Sequence, residues 1–219
     1  MLDIEVLNLP LPLRMGRVNC FLIQGADGYI LIDTGSVSAR KQLSGELVKA
    51  GCQPNSLMLI ILTHGDFDHT GNAAYLRSTC GVRIAMHPDD AGMVERGDMF
   101  SNRKKPNFLI TAMIPLFTGF RKSDRFTPDI LLEDGYDLSH YGLNAKVISL
   151  PGHSQGSIGI LTEEGDLFCG DLFENMKQPV LNSLIDDPEA AQSSLAKLEN
   201  LRIKKVYPGH GQPFAWEQL

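Results

Sequence analysis

The sequence predicts an α+β fold in which two β-sheets pack together and helices cover their outer faces. Apolar runs in both halves of the chain are short and interrupted by glycine, which is typical of many short strands. Residues 57–62 are six apolar residues in a row, which predicts a strand covered on both faces. Helical spacing occurs between the strand-like runs, so we expect helices interspersed with strands.

Apolar spacing and turn residues define the elements of the first half of the chain. Two neighbouring strands are predicted on either side of a glycine-containing turn, and Asp33 follows the second strand. Leu43 and Leu47 share one face of the next helix, which ends at Gly51. The predicted segments are strands at 17–24, 29–32, 57–62 and 82–86 and a second helix near 71–78.

The second half follows the same pattern of short strands and a covering helix. Asp187 and Pro188 predict a helix start, because aspartate caps a first turn and proline fits its first position. Ala191, Leu195 and Leu198 then share the apolar face of this helix. The predicted strands lie at 146–150, 157–161, 167–169 and 205–207.

The composition favours a single globular domain over residues 1–219. With 219 residues and 43% hydrophobic content, the chain can bury a core. A formal net charge of -6 argues against nucleic acid as a partner. No apolar run reaches the roughly 18–20 residues that span a bilayer. Four separated cysteines without a CxxC pair, and an N-terminus without a signal pattern, predict reduced thiols and a cytoplasmic location.

The segment 96–130 fits the pattern of the domain least well. It contains seven Lys or Arg residues against three Asp, and its middle, 107–120, is almost entirely apolar. One interpretation is a lid that binds an anionic small-molecule substrate with an apolar part. The other is a helix pair that packs on the body or forms a homodimer contact, with solvated basic residues at its ends. Contact with a membrane surface is a third.

The stretch 63–72 contains four potential metal ligands within six residues. They follow the buried strand at 57–62 and are His64, Asp66, Asp68 and His69. Imidazole and carboxylate are ligand types that zinc, iron and manganese accept. The alternative is a polar turn that happens to be rich in histidine and aspartate.

Three more side chains of the same types follow other predicted strands. His153 and His210 each end a Pro-Gly-His sequence, and Asp171 follows Gly170. Loops at one end of a rigid sheet suit a preorganised site. Packing alone does not explain the set, because unpaired aspartate and histidine are costly to bury.

These motifs, in this order, resemble the metallo-β-lactamase superfamily. The resemblance extends from Asp33 to His210, nearly the whole chain. It rests on Asp33-Thr34-Gly35, on the cluster at 64–69, and on the short motifs at 151–153, 170–171 and 208–210. It implies an αββα sandwich with a two-metal site on the rim between the sheets.

The resemblance also implies a role for each candidate ligand. His64 and His153 would bind the first metal ion. Asp68, His69 and His210 would bind the second. Two divalent ions per chain are therefore expected, and the family favours zinc.

Asp171 would bridge the two ions, and Asp33 would hold the ligand loop through hydrogen bonds. Asp66 departs from the family pattern, which normally has histidine there, whereas the related flavodiiron proteins carry glutamate and bind iron. Asp66 could ligate directly, ligate through water, or leave the first site weak. A carboxylate in place of an imidazole makes the site less positive, which favours iron or manganese over zinc.

A two-metal site of this kind predicts a metallohydrolase. A metal-bound hydroxide would cleave an ester, thioester, lactone, amide or phosphoester bond in a small molecule. Asp68 is the candidate catalytic residue that orients the nucleophile or carries a proton. One alternative is a di-iron redox protein, which would need a separate reductase. The other is a metal-binding regulatory protein with weak turnover.

The remaining polar residues are predicted to have structural roles. We expect His87 to be a surface or helix-capping residue and His140 to be solvated. Cys169 is expected to be a small buried residue. Asn19 lies inside a predicted strand and gives no functional signal.

Overall fold

In the computed structural model, residues 2–103 and 118–219 are described, and they form two mixed sheets of six strands each. The strands of the first sheet lie in chain order. Its first three strands are antiparallel, and the third to the sixth are parallel. They are β1 (Asp3–Pro10), β2 (Arg17–Gln24), β3 (Tyr29–Ile32), β4 (Leu57–Ile61), β5 (Arg83–Met86) and β6 (Ile130–Leu131).

The second sheet is built from the second half of the chain. Its strands are β7 (Ala145–Ser149), β8 (Ile158–Thr162), β9 (Asp166–Asn175), β10 (Val180–Leu181), β11 (Lys205–Gly211) and β12 (Phe214–Ala215). The order is β12-β11-β9-β8-β7, with β10 paired to β9. The neighbours β9 and β11 run parallel, so their carboxyl ends reach the same edge of the sheet.

Helices cover the outer faces of both sheets. Among the described residues they are α1 (Arg40–Lys49), α2 (Phe67–Thr70), α3 (Ala73–Cys80), α4 (Pro88–Arg96) and α5 (Pro188–Leu198). Leu43 and Leu47 of α1 pack on the first sheet, and Ala191 and Leu198 of α5 pack on the second. Asp187 accepts hydrogen bonds from the first turn of α5, as its sequence position predicts.

The main core lies between the sheets. Alternate residues of β2, such as Phe21 and Ile23, face the second sheet, where they meet Phe168 and Tyr207. Leu22, between them in sequence, faces the helices instead. The chain therefore has the predicted αββα architecture, and β4 is buried on both faces.

The sequence analysis did not predict β1, β6, β10, β12, α2 or α4, and the longest of these are β1 and α4. β1 pairs along its whole length with β2, but most of its residues are partly or fully exposed, so its apolar signal is weak. α4 begins at Pro88 after His87, which caps it by accepting a hydrogen bond from the Asp89 amide. The expectation that His87 caps a helix is confirmed.

The middle of segment 96–130 lies outside the described residues. Its described parts continue from the end of α4 to Arg103 and from Thr118 to β6, which pairs with β5. The predictions of a lid or of a packed helix pair concern the whole segment 96–130, of which residues 104–117 lie outside the described part of the chain, and they stay predictions.

Within residues 2–103 and 118–219, no helix combines the length and the apolar character that crossing a bilayer requires.

Asp90, on α4, joins the loops of the two sheets. Its carboxylate is 0% exposed. It accepts hydrogen bonds from the Gly65 amide at 2.9 Å, the Ser154 hydroxyl at 2.6 Å and the Gly156 amide at 2.9 Å. Asn102 donates a fourth at 2.9 Å. A buried carboxylate with four donors holds two loops from different sheets in register.

Asp90→Asn should therefore destabilise the fold by about 3 kcal/mol, because the amide nitrogen would face donors that lose their acceptor. Chemical denaturation of the purified variant measures this change. Asp89→Asn is the matched control at an exposed neighbouring position and should cost less than about 1 kcal/mol. Equal effects of the two substitutions would contradict the role given to Asp90.

Candidate metal centre

The first sheet delivers four of the candidate side chains. After β4 the chain runs through Thr63 to His64, and α2 then holds Asp68 and His69. Asp66 occupies the position just before α2, but its side chain makes no capping bond to the helix. Its carboxylate instead faces the other candidate ligands.

The second sheet delivers the other three. His153 lies in the loop between β7 and β8, whereas Asp171 and His210 lie on the adjacent parallel strands β9 and β11. Gly209 precedes His210, and a side chain there would collide with the Asp171 carboxylate. Glycine at this position therefore lets the two strands present their polar groups at close range.

Nitrogen and carboxylate atoms of all seven side chains converge on one centre. They form three overlapping groups, within each of which these atoms lie within 4.8 Å of one another. The groups are His64 with Asp66 and His153, His64 with His69 and Asp171, and Asp68 with His69 and His210. The structure thus brings together all seven side chains that the sequence analysis named as candidate metal ligands.

The four histidines share one orientation relative to this centre. Each donates its Nδ1 proton to an acceptor outside it. The acceptors, at 2.8 to 3.0 Å, are the Thr63 hydroxyl for His64, Asp33 for His69, the Leu184 carbonyl for His153 and the Arg17 carbonyl for His210. These bonds fix the rings and their tautomers, so every Nε2 atom is left for the centre.

Asp33 supports two of these histidines at once. Its Oδ2 accepts from His69 Nδ1 and from the Thr63 hydroxyl, both at 2.8 Å, and its Oδ1 accepts from the Thr63 amide at 2.8 Å. Because the Thr63 proton goes to Asp33, the Thr63 oxygen accepts from His64. Asp33 is fully buried and has a φ of 59°, a conformation that is costly for a residue with a Cβ.

Buried atoms at the centre fit the ligation of a cation. Among the described residues, Nε2 of His64, Nε2 of His69 and Oδ1 of Asp171 have no hydrogen-bond partner although they are buried. An unsatisfied buried polar atom costs about 1–3 kcal/mol. Imidazole nitrogen and carboxylate oxygen together are the donor set of zinc, iron and manganese sites. The residues present therefore fit divalent metal ions.

The carboxylates also attract positive charge to the centre. Burial lowers the pKa of the His69 imidazole, but the Asp171 and Asp33 carboxylates raise it to about 9. Burial also lowers the pKa of His210, and Asp171 outweighs it and raises that pKa to about 12. Burial raises the pKa of Asp171, yet His210 and His69 hold it well below its usual range. A bound cation would replace the protons that balance these carboxylates.

Arg103 is a residue of the centre that the sequence analysis did not single out. Its side chain is 6% exposed, and its Nη1 donates to Asp66 Oδ1 at 2.7 Å. Its Nε lies 2.6 Å from Asp186 Oδ2. The only sequence signal was the excess of basic residues in segment 96–130. The sequence analysis argued that the carboxylate of Asp66 makes the site less positive, and it did not take the positive charge of Arg103 into account.

Asn19 supports the centre from outside, although the sequence analysis found no functional signal at this position. It is buried in β2, and its Nδ2 donates to the Pro208 carbonyl at 2.9 Å and to the Gly211 carbonyl at 2.8 Å. It therefore holds the stretch that carries His210. Strand alternation in the sequence gives no sign of this contact between the sheets.

The predictions of structural roles for two other residues are confirmed. His140 is exposed in a turn. Cys169 is buried in the core of the second sheet with a free thiol.

A cleft of about 330 Å³ opens onto the centre, and five of the seven side chains line it. Leu184, Met176 and Met15 at its mouth are all more than half exposed. The apolar residues that line it are Leu11, Met15, Phe67, Met99, Met176 and Leu184. Arg17, Glu174 and Asn182 line the cleft as well, so the entrance to the polar centre is mainly but not wholly apolar.

Curated relatives of the chain include hydrolases. It is 28% identical over 223 residues to the acyl-coenzyme A thioesterase MBLAC2 of Bos taurus, covering 93% of this chain and 76% of the relative. It is 25% identical over 239 residues to the probable metallo-hydrolase YqjP of Bacillus subtilis, covering 96% of this chain and 72% of the relative.

Solved structures share the fold over nearly the whole chain. TTHA1623 in a di-iron-bound form is 27% identical, with a TM-score of 0.72 and coverage of 94% of this chain and 93% of that one. The metallo-β-lactamase family protein TTHA1429 of Thermus thermophilus is 28% identical, with a TM-score of 0.72 and coverage of 97% and 74%.

The family model of the metallo-β-lactamase superfamily matches residues 13–210, which include all seven converging side chains. The chain belongs to the metallo-β-lactamase superfamily.

Proposed function

We propose that this protein is a binuclear metallohydrolase that acts on a small molecule with an acyl group. The observation that carries the proposal is the convergence of four Nε2 atoms and three carboxylates at the floor of an open cleft. Membership of a superfamily of metal-dependent hydrolases supports the reaction type.

We assign the ligands according to the groups in which the side chains lie. His64, Asp66 and His153 would hold the first ion, and Asp68, His69 and His210 the second, with Asp171 between them. Asp66 Oδ2 lies 3.0 Å from His153 Nε2 and 3.6 Å from His64 Nε2, which supports direct ligation through this oxygen.

Two divalent ions, when bound, supply the charge that activates water near neutral pH and stabilises a developing oxyanion. The protein fixes the groups around them. Asp68 lines the cleft, and its Oδ2 lies 3.5 Å from His210 Nε2. We assign Asp68 the further role of orienting the attacking water and carrying its proton towards the leaving group.

The cleft favours a substrate with an apolar part. Met15, Met176 and Leu184 would contact such a part while its carbonyl lies at the centre. Relatives named as acyl-coenzyme A thioesterases support a thioester or ester bond as the one cleaved. The sequence analysis left five types of scissile bond open, and of these we favour the thioester and the ester.

Redox chemistry at a di-iron centre is the second candidate function. It is favoured by the similarity to a protein whose structure holds two iron ions. An iron-dependent colour together with oxygen consumption in the presence of a reductase would support it. Hydrolysis by the zinc-only protein at the same rate as by the iron-containing protein would count against it.

Turnover of a substrate panel tests the proposed function. Acyl thioesters should be hydrolysed, with kcat/KM rising about threefold to fourfold per methylene until the cleft is filled. Chelation should abolish turnover, and re-addition of metal should restore it. A phosphodiester that reacts faster than every thioester and ester would contradict the proposed substrate class.

Asp68→Asn, assayed with the best substrate of that panel, should lower kcat about 100-fold or more, because the amide cannot accept a proton. Metal content, measured in parallel, separates this role from ligation. Asp27→Asn, at an exposed aspartate remote in sequence, is the matched control and should retain full activity. Full activity of Asp68→Asn would remove Asp68 from the mechanism.

Asp33→Asn tests the support behind His69. The asparagine oxygen can occupy only one of the two carboxylate positions, so its NH2 group would face either the Thr63 amide or His69 and the Thr63 hydroxyl. The support behind His69 should therefore weaken, and metal affinity should fall about 10–100-fold. Competition with a chromophoric chelator measures the affinity, and Asp27→Asn again serves as control. Unchanged affinity in a folded Asp33→Asn variant would show that this bond does not position His69.

A further inference from the structure

Arg103 divides the two oxygens of Asp66 between two kinds of partner. Arg103 Nη1 donates to Oδ1 at 2.7 Å. Oδ2 faces the centre, 3.0 Å from His153 Nε2. The side chains of Arg103 and Asp66 are 6% and 9% exposed, so their charges interact with little screening by solvent. One oxygen of Asp66 therefore belongs to the arginine and the other to the centre.

Two further contacts place Arg103 beside Asp66. Asn102, the preceding residue, donates to the Asp90 carboxylate and to the Asp89 carbonyl. On the far side, Asp186 Oδ2 lies 2.6 Å from Arg103 Nε. The Asp186 side chain is 45% exposed, so water screens its charge far more than that of Asp66. Asp66 is thus the main buried counter-charge of Arg103.

We propose that Arg103 is a positioning residue that makes Asp66 a single-oxygen ligand and cancels its charge. The inference rests on the proposed metal site. The Asp66–Arg103 pair would then stand where the superfamily normally has one neutral histidine. Asp68 and Asp171 would remain the two uncompensated carboxylates, so the centre would carry the same charge as a centre with histidine at position 66.

This compensation has a consequence for metal preference. With Arg103 present, Asp66 offers one oxygen of reduced charge, which does not particularly favour hard ions. Without it, the carboxylate would offer two oxygens and a full charge, a combination that suits manganese better than zinc. The arginine would therefore set the balance between these metals.

A rescue experiment tests the pairing through metal affinity. The variants are Asp66→His and the double variant Asp66→His with Arg103→Met, titrated with zinc against a chromophoric chelator. In the single variant a buried guanidinium faces the first ion without Asp66, so the first zinc should bind about tenfold or more weakly than in the double variant. Equal affinity in the two variants would overturn the inference.

Arg103→Met alone gives a second measurement that does not depend on Asp66→His folding. The ratio of manganese to zinc affinity should rise about tenfold, because the full carboxylate becomes available. Arg103→Lys keeps the charge and should stay nearer to the unmodified protein. Arg202→Met, at an exposed arginine, is the control and should leave the ratio unchanged. An unchanged ratio in Arg103→Met would overturn the inference.

The unmodified protein separates this inference from the proposed function. The unmodified protein could bind two ions while the zinc affinities of the two Asp66→His variants are equal and Arg103→Met leaves the manganese-to-zinc ratio unchanged. In that case only the role of Arg103 is wrong. If the unmodified protein binds no divalent ion at this centre, the metal site itself fails. Thermal unfolding of each variant without metal identifies any variant that does not fold. The metal affinities of the variants that fold then test the role of Arg103.

Discussion

The centre depends on one repeated interaction, the hydrogen bond that each central histidine donates from Nδ1 to an acceptor outside it. These acceptors belong to different parts of the chain, from the Arg17 carbonyl on β2 to the Leu184 carbonyl after β10. A histidine without such a bond could rotate or change tautomer, and its Nε2 would be lost to the centre. The αββα fold therefore positions a hydrogen-bond acceptor next to the Nδ1 atom of each of the four histidines.

The two sheets stay in register because buried polar side chains join their loops. Asp90 holds the loops that carry His64 and His153, and Asn19 reaches from β2 to the stretch around His210. Apolar packing between the sheets gives stability, but it tolerates small shifts that a metal site does not. These directional bonds supply the accuracy that hydrophobic contacts lack.

Much of the fold and the candidate site could be predicted from the sequence, because apolar runs and Pro-Gly-His or Gly-Asp motifs carry local signals. The convergence of the seven candidate ligands could be expected from these motifs, although Asp171 and His210 lie within β9 and β11 and not just after the shorter strands predicted at 167–169 and 205–207. Arg103, Asn19 and Asp90 could not be predicted, because their roles depend on contacts between residues far apart in sequence. β1 escaped prediction because an exposed edge strand has little apolar pattern.

Anomalous diffraction from crystals of the metal-loaded protein tests the central claim most directly. Two peaks about 3.5–4 Å apart, within bonding distance of the histidine Nε2 atoms and of Asp171, are the predicted result. The same data would identify the element in each position and show which oxygen of Asp66 takes part. Folded, loaded crystals with no peak between His64, His153 and His210 would contradict the account.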